Sequence, residues 1–599
     1  MSKTSIKGGE FLIRETLAQD IFIREELSEE QLAMAAACQS FLETVIYPNI
    51  KESEADPMYS EKFLEKAGEL GLLSVSIPEE YGGLGMNFVT SLLMADIIAS
   101  SGAFSTTFGA HTGIGTLPIL YYGTEAQKQK YLPNLATGTW KACYCLTEPT
   151  AGSDANGGKS TATLTEDGKF YKINGQKMWI TNSGYAHIFI VFAKIIDPIT
   201  GVKDDNLSAF IVEKTFGGIT LNEEEHKMGI KGSSTRQVFF TDCMVPVENL
   251  LHERNRGFRI AVNILNIGRI KLAAGVLGGC KMLTTYGTKY TTERQQFDKS
   301  LASFGAIKHK LAQMATLIYA TESAIYRAGQ DIEDHTTALI AGGMADAEAK
   351  LRGLEEFAIE CAMMKVHASE ILAYVTDEGI QLLGGMGFSA DTPMERAYRD
   401  ARVARIYEGT NEINRMLAVG AMAKRAVAGR LDLMTPGTKI TQELMGPPSF
   451  EMPGSGLFEM ENWVVANLKK ATLMVAGQAS MVFGPKLNEE QEILMNAADM
   501  LIEVYVAESI LLRTAKLVSQ RGEAACASQI AMCKVYLEHA VDIIERSGKT
   551  AINSFAYGDM QRIMTMGLKR YCKMPQTYNT KVLRREIADA MIEGQGYIF

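Results

Sequence analysis

The chain is expected to be mainly helical with a central β domain. Its parts are a helical N-terminal domain, an antiparallel β domain, a four-helix-bundle-like domain and an extra C-terminal helical domain. Three observations predict this. Apolar residues recur at helical spacing in the first quarter of the chain and again beyond residue 257. Between them lie short β-branched and aromatic runs bounded by Gly, Pro, Asn or Asp. A stretch rich in Pro and Gly then precedes a last helical segment. At 599 residues the chain is too long for one core.

The elements follow in order. Residues 1–143 form the first helical domain. "SEEQLAMAAACQSFLETVIYPNI" opens on Ser28, with Gln31 placed to complete a capping box. "SEKFLEKAGELGLLSV" repeats the amphipathic pattern up to Gly71, and "IPEEYGGLGMN" is a turn-rich break. One long helix of mostly small residues is predicted through "SLLMADIIASSGAFSTTFGAHTGIG". Residues 144–256 read as the β domain, with Asn174-Gly175 in "FYKINGQKMWITNS" marking a hairpin turn. From 257 to 434 the helical period returns, with Ile260, Ile264, Ile267, Leu272 and Val276 tracking one face. "FGAIKHKLAQMATLIYATESAIYRAGQDIED" and "AEAKLRGLEEFAIECAMMKVHASEILAYVTDEGIQLLGG" are long enough for a bundle. Residues 435–456 are a linker by composition, and 457–599 are helical again.

Composition narrows the function classes. Sixty Lys plus Arg against seventy Asp plus Glu leave a net charge of −10, which argues against nucleic-acid binding. Nine scattered cysteines with no CxxC pair read as reduced, mostly buried thiols. The eight histidines form no HExxH or other close pair, so no His-based metal site is expected. The N-terminus lacks the apolar core of a signal peptide and the Arg-rich character of a transit peptide, and no run of about 18 apolar residues suggests a membrane span. A cytoplasmic protein is expected, with membrane association at most peripheral, through "VVANLKKATLMVAGQASMVFG".

Three stretches carry chemistry: "YCLTEPTAGSDA" from Tyr144, "KMWITNS" from Lys177, and "RIYEGTNEINR" around Glu408, preceded by "IQLLGGMGF". In this order and at these separations they resemble the acyl-CoA dehydrogenase family over roughly 40–430. The long helical tail is similar to that of the very-long-chain subgroup. Taken alone, Glu408 is an ordinary carboxylate ahead of a helix, where negative charge is favoured.

The resemblance implies FAD as cofactor, a fatty acyl-CoA substrate and an electron-transfer flavoprotein as partner. It places Thr147, Thr181 and Trp179 at the flavin ring, with Tyr144 and Leu146 flanking. It places Arg294 and Phe297 at the pyrophosphate and adenine side, although Asp298 stands where the family pattern has Gly. Gln381, Gly384 and Gly385 match positions that bind the dinucleotide from a neighbouring subunit, and Thr410 matches a further flavin contact. Ser153 and Arg269 match positions near the acyl-CoA, and Gly409 allows close backbone approach there.

Glu408 matches the catalytic base. Some relatives carry the base on the helix containing "ILNIGRIK", but here that position is Gly268, which has no side chain to serve. The expected activity is α,β-dehydrogenation of acyl-CoA to trans-2-enoyl-CoA in fatty-acid β-oxidation. Long chains are favoured, because Gly109, Ala110 and Gly113 leave room at the far end of the acyl pocket. A homodimer is expected. Acyl-CoA oxidases and a non-catalytic assembly protein share the scaffold and stand as alternatives.

Overall fold

A computed structural model describes residues 6–446 and 452–599. The first helix, α1 (Glu29–Phe41), is headed by the expected capping box. The Ser28 hydroxyl accepts the Gln31 N–H at 3.2 Å, and the Gln31 side chain accepts the Ser28 N–H at 2.9 Å. Helix α2 (Ser60–Glu69) ends ahead of Gly71, whose φ of 74° suits a helix stop.

The single long helix predicted next is instead three pieces: α3 (Phe88–Ile98), α4 (Ala103–Gly109) and a π-helical turn, Ala110–Gly115. The break has a local cause. Ser100 and Ser101 donate back to the carbonyls of Ile97 and Ile98, and Gly102 then takes φ 64°.

The β domain is a single eight-stranded sheet: β1 (Ala142–Cys145), β2 (Thr161–Leu164), β3 (Phe170–Thr181), β4 (Ile188–Ile196), β5 (Ser208–Glu213), β6 (Ile219–Glu224), β7 (Thr235–Pro246) and β8 (Leu250–Leu251). The order is β6-β7-β3-β2-β4-β5-β8, with β1 also on β4. The sheet is mixed rather than wholly antiparallel. β1 and β2 lie end to end along β4, and both run parallel to it.

Asn174-Gly175 is not a hairpin turn. It lies inside β3 at a register shift against β7. Asn174 exchanges hydrogen bonds with Asp242 across the strands, and a Cβ on Gly175 would sit 2.3 Å from Ser160 Oγ. The glycine serves a bulge and a close approach, which a bare Asn-Gly pair does not distinguish from a turn.

Alternation along the strands divides the core. Cys143, Cys145, Phe189 and Val191 face the sheet's own core, while Ala142, Tyr144, Ile190 and Phe192 face the helices.

Beyond the sheet run α5 (Gly257–Glu293), α6 (Gly305–Ala341), α7 (Asp346–Glu356), α8 (Ala358–Leu383) and α9 (Asn411–Val427). By length and composition α5 is apolar enough to cross a membrane, but two thirds of that window (67%) is buried in the fold, as expected of a core helix. The composition-based linker contains a helix, α10 (Met434–Met445). Pro436 falls in its first turn, where a missing N–H breaks no helical bond, and Asp432 caps Thr435 at 3.0 Å. Part of that linker, 447–451, lies outside the described residues.

The last segment carries α11 (Glu459–Phe483), α12 (Gln491–Arg521), α13 (Ala527–Phe555), α14 (Gly558–Tyr571) and α15 (Thr580–Glu593). Buried ion pairs tie it to the bundle. Arg513 on α12 meets Glu322 on α6 at 2.8 Å and Glu25 at 2.7 Å, and Arg327 meets Glu508 at 2.9 Å. Glu322 also takes Lys281 at 2.6 Å and Arg24 at 3.2 Å. Burial alone would raise its pKa, but Lys281, Arg513 and Arg24 together outweigh burial and hold it at about 2. All nine cysteines are buried and free.

Candidate active site

Glu408 stands between the 3₁₀ turn Arg402–Arg405 and α9. Its φ is 59° and that of Gly409 is 83°, two consecutive left-handed residues. For a glutamate this conformation is costly and needs support from its surroundings. The support is a set of hydrogen bonds to the turn's carbonyls. Arg269 Nε donates to Glu408 O at 3.2 Å, and Lys365 Nζ to Gly409 O at 2.8 Å. Asn414 Nδ2 donates to the carbonyls of Glu408, Gly409 and Thr410 at 3.3, 2.7 and 3.1 Å. Thr410 caps α9 by accepting the Ile413 N–H at 3.3 Å. This cap ties the turn to the first turn of α9.

The Glu408 carboxylate packs against α5. A Cβ on Gly268 would lie 2.5 Å from Glu408 Oε2 and 2.9 Å from Oε1. The position where some relatives carry the base is thus filled by the carboxylate of Glu408 itself. Oε2 is buried and has no hydrogen-bond partner among the described residues. Burial raises the carboxyl pKa to about 7, against the opposing pull of Arg269 and Lys365. Burial in turn lowers Lys365 to about 8 and lowers Arg269. The carboxyl therefore titrates near neutrality, the range suited to a general base.

A cavity of about 180 Å³ opens at this carboxylate. Its walls include Thr181 from the sheet, Gly268 from α5, and Gly109, Ala110 and Gly113 from α4 and the π turn. Nothing lies within 4 Å of a Cβ built on Gly109 or Gly113. The three small residues read as the pocket end from sequence do line this space.

The sheet supplies the opposite side. Lys177 and Ile180 of β3 face Val238 and Arg236 of β7, so Met178 and Trp179 oppose one residue and form a bulge. Trp179 takes φ 59° there and is 52% exposed. Met178 N donates to Thr147 O at 2.9 Å, which brings Thr147, Trp179 and Thr181 together. The Leu146–Glu148 stretch is fixed from below by the buried Lys177 ammonium, which meets Glu148 at 2.6 Å and Leu146 O at 3.3 Å. Tyr144 is buried, its Oη has no hydrogen-bond partner among the described residues, and burial and then nearby Glu408 push its pKa well up. An aromatic face left half open and two buried oxygens with no partner among the described residues fit a planar polar ring seated between sheet and bundle.

The other expected residues lie elsewhere. Ser153 is exposed on the β1–β2 loop. Arg294 and Phe297 are exposed at the far end of α5, about 39 Å along the helix from Gly268 at 1.5 Å per residue. Phe297 is 86% exposed. Asp298 keeps the local loop shape: Phe297 and Asp298, with φ 55° and 59°, turn a two-residue hairpin between Gln295–Gln296 and Lys299–Ser300. Asp tolerates that conformation at modest cost. Gln381, Gly384 and Gly385 are exposed at the end of α8. A Cβ on Gly287 would lie 3.2 Å from Leu382, so these residues share the Arg294 end of the bundle. Within one chain they form a second cluster apart from Glu408.

Sequence reasoning missed Lys365, Asn414 and Asn266. Asn414 sits in the quoted "EGTNEINR" and acts through its side-chain amide. Lys365 is a lone charge in the apolar run "AMMKVHAS", which was its only signal. Asn266 accepts from Arg269 Nη1 at 2.7 Å and aims that guanidinium.

Comparison with known proteins identifies the family. Profiles described as the N-terminal, middle and C-terminal domains of acyl-CoA dehydrogenase match residues 28–139, 143–243 and 255–423. A further acyl-CoA dehydrogenase C-terminal domain profile matches 467–570. A probable acyl-CoA dehydrogenase of Bacillus subtilis (strain 168) is 41% identical over 592 residues, covering 99% of this chain and 98% of that protein. The mitochondrial very long-chain specific acyl-CoA dehydrogenase of Rattus norvegicus is 38% identical over 481 residues, 77% of this chain and 70% of its own. A crystal structure of an acyl-CoA dehydrogenase complexed with FAD from Bacillus anthracis superposes with a TM-score of 0.95 at 42% identity, covering 99% of this chain and all (100%) of that one. The chain belongs to the acyl-CoA dehydrogenase family.

Proposed function

We propose that the protein is an FAD-dependent acyl-CoA dehydrogenase of fatty-acid β-oxidation, acting on long-chain substrates in the cytoplasm and delivering electrons to an electron-transfer flavoprotein. The observation that carries the reading is the Glu408 carboxylate: partly unpartnered, raised to about 7, and facing a cavity of about 180 Å³. Glu408 takes a proton from the substrate α-carbon, and the pair of electrons left there becomes the new double bond as hydride departs from the β-carbon. A flavin bound against Thr147, Trp179 and Thr181 supplies the acceptor for that hydride. Arg269, Lys365 and Asn414 hold the carbonyls of the turn, so the Glu408 N–H keeps one direction and can polarise the thioester oxygen. Packing against Gly268 of α5 buries Oε2, which strengthens the carboxylate as a base.

A homodimer is part of the proposal. Arg294, Phe297, Gln381, Gly384 and Gly385 cluster on an exposed end remote from Glu408, as expected if they hold the dinucleotide of a partner's site. The test is anaerobic bleaching of the flavin by acyl-CoAs of rising length, followed by air. Bleaching that strengthens with length and persists in air is expected. Rapid reoxidation by air identifies an oxidase instead, and no bleaching by any acyl-CoA ends the proposal.

A further inference from the structure

The acyl cavity is not uniformly apolar. Besides Glu408 and Gly268 it is lined by Ser91, Ser105, Thr106, Thr112 and Lys271. Three of the hydroxyls are satisfied locally: Ser91 donates to Phe88 O at 2.7 Å, Ser105 to Gly102 O at 2.7 Å and Thr112 to Phe108 O at 2.9 Å. Thr106 lies against the Tyr407 hydroxyl. Lys271 differs. Among the described residues no side chain or carbonyl forms a hydrogen bond or ion pair with its amine.

Its place follows from the helix. Gly268, which touches the Glu408 carboxylate, lies three residues earlier on α5. Lys271 is therefore on the same face, about 4.5 Å farther along the axis. It borders both the acyl cavity and a smaller neighbouring space shared with Ser91, Phe108 and Thr112. Burial lowers its ammonium pKa to about 8, so most of it is still charged at neutral pH. A plain alkyl chain would leave that charge against methylenes, which is costly. A carboxylate at the same depth would give a charge-assisted hydrogen bond.

We propose that Lys271 is a specificity-determining residue whose ammonium group pairs with a carboxylate on the acyl tail, so that at the one medium length that brings an ω-carboxylate to its depth the cavity favours the acyl-CoA thioester of a dicarboxylic acid over the plain chain of that length. The inference rests on the acyl-CoA reading above and adds the class of tail. The test compares holoenzyme kcat/KM for matched pairs of six to sixteen carbons, each a monocarboxylic acyl-CoA and its ω-carboxy counterpart, in wild type, Lys271→Met and Lys271→Arg.

In wild type the diacid-to-plain ratio is expected to peak at one medium length. Lys271→Met should lower that ratio by about 10- to 100-fold, as loss of a hydrogen bond to a charged group implies, while raising kcat/KM for the plain chain. Lys271→Arg should retain most of the diacid preference. An equal ratio in wild type and Lys271→Met overturns the inference while leaving the acyl-CoA reading intact. Flavin that no acyl-CoA bleaches overturns both.

Discussion

Replacing Glu408 with Gln removes the proton acceptor and nearly preserves the shape. The carboxyl is raised from 4.5 to about 7 by burial, with Arg269 and Lys365 pulling the other way. The difference, 7 − 4.5, is about 2.5 units, or roughly 3 kcal/mol at about 1.36 kcal/mol per unit. A raised carboxyl pKa means that the folded protein holds the proton more tightly than the unfolded chain. Stability from this group is full below 4.5, is lost as pH rises towards 7, and is level above that. Glutamine carries no such cost. Glu408→Gln should therefore match wild type in urea unfolding at pH 4 and exceed it by up to about 3 kcal/mol at pH 8. Its turnover should fall at least about a hundredfold, as for loss of a general base. In wild type, kcat/KM should rise about tenfold per pH unit up to about 7 and then flatten. Near-normal turnover in Glu408→Gln refutes the base assignment. Lost turnover with a stability difference independent of pH refutes the account of its raised pKa.

Other outcomes follow from the same geometry. Gly268→Ala would press a methyl group into the space of the Glu408 carboxylate, and kcat should drop at least about tenfold with the flavin spectrum unchanged, since small misplacements of reacting groups are costly. Normal kcat in this variant would show that the carboxylate moves freely. Ala110→Phe should lower kcat/KM for long acyl-CoAs and spare short ones, at about 0.8 kcal/mol for each methylene no longer buried; an unaltered chain-length profile counts against this end of the cavity. Arg513→Met should cost about 3–5 kcal/mol by leaving Glu25 and part of Glu322 uncompensated, read as a lower urea midpoint; an unchanged midpoint would mean that Lys281 and Arg24 suffice.

Local signals proved legible where the cause is local. The Ser28 capping box needs only residues three apart, and it formed as read. Glu408, Thr147 and Thr181 lie in distinctive short stretches, and the fold brings the carboxylate and both threonines around one site. Failures came where a local pattern has two structural uses. Asn174-Gly175 suits a turn or a bulge, and the Ser160 approach that decides between them comes from another strand. The small-residue run before Gly115 suits one helix until Ser100 and Ser101 bond backward and Gly102 reverses φ. Lys365 has no local signal for its role because its partner is set by how α8 and the Glu408 turn meet; Asn266 pairs with Arg269 only three residues along α5, but that pair gains its meaning from the Glu408 carbonyl that Arg269 reaches across the fold.

The buried charge knot at Glu322 has a consequence for the order in which the protein can be finished. Arg24 and Lys281 precede Glu322 in the chain, but Arg513 follows it by 191 residues. At roughly 5–20 residues per second, a ribosome needs about 10–40 s to supply that last cation. Arg327 waits almost as long for Glu508. During that interval α6 exposes charged groups that the completed protein encloses, so its inner face must stay wet. The charge knot of the central bundle is then completed only once translation has run deep into the C-terminal segment, and a chain stalled before residue 513 should be more open to proteases along 305–341 than the finished protein.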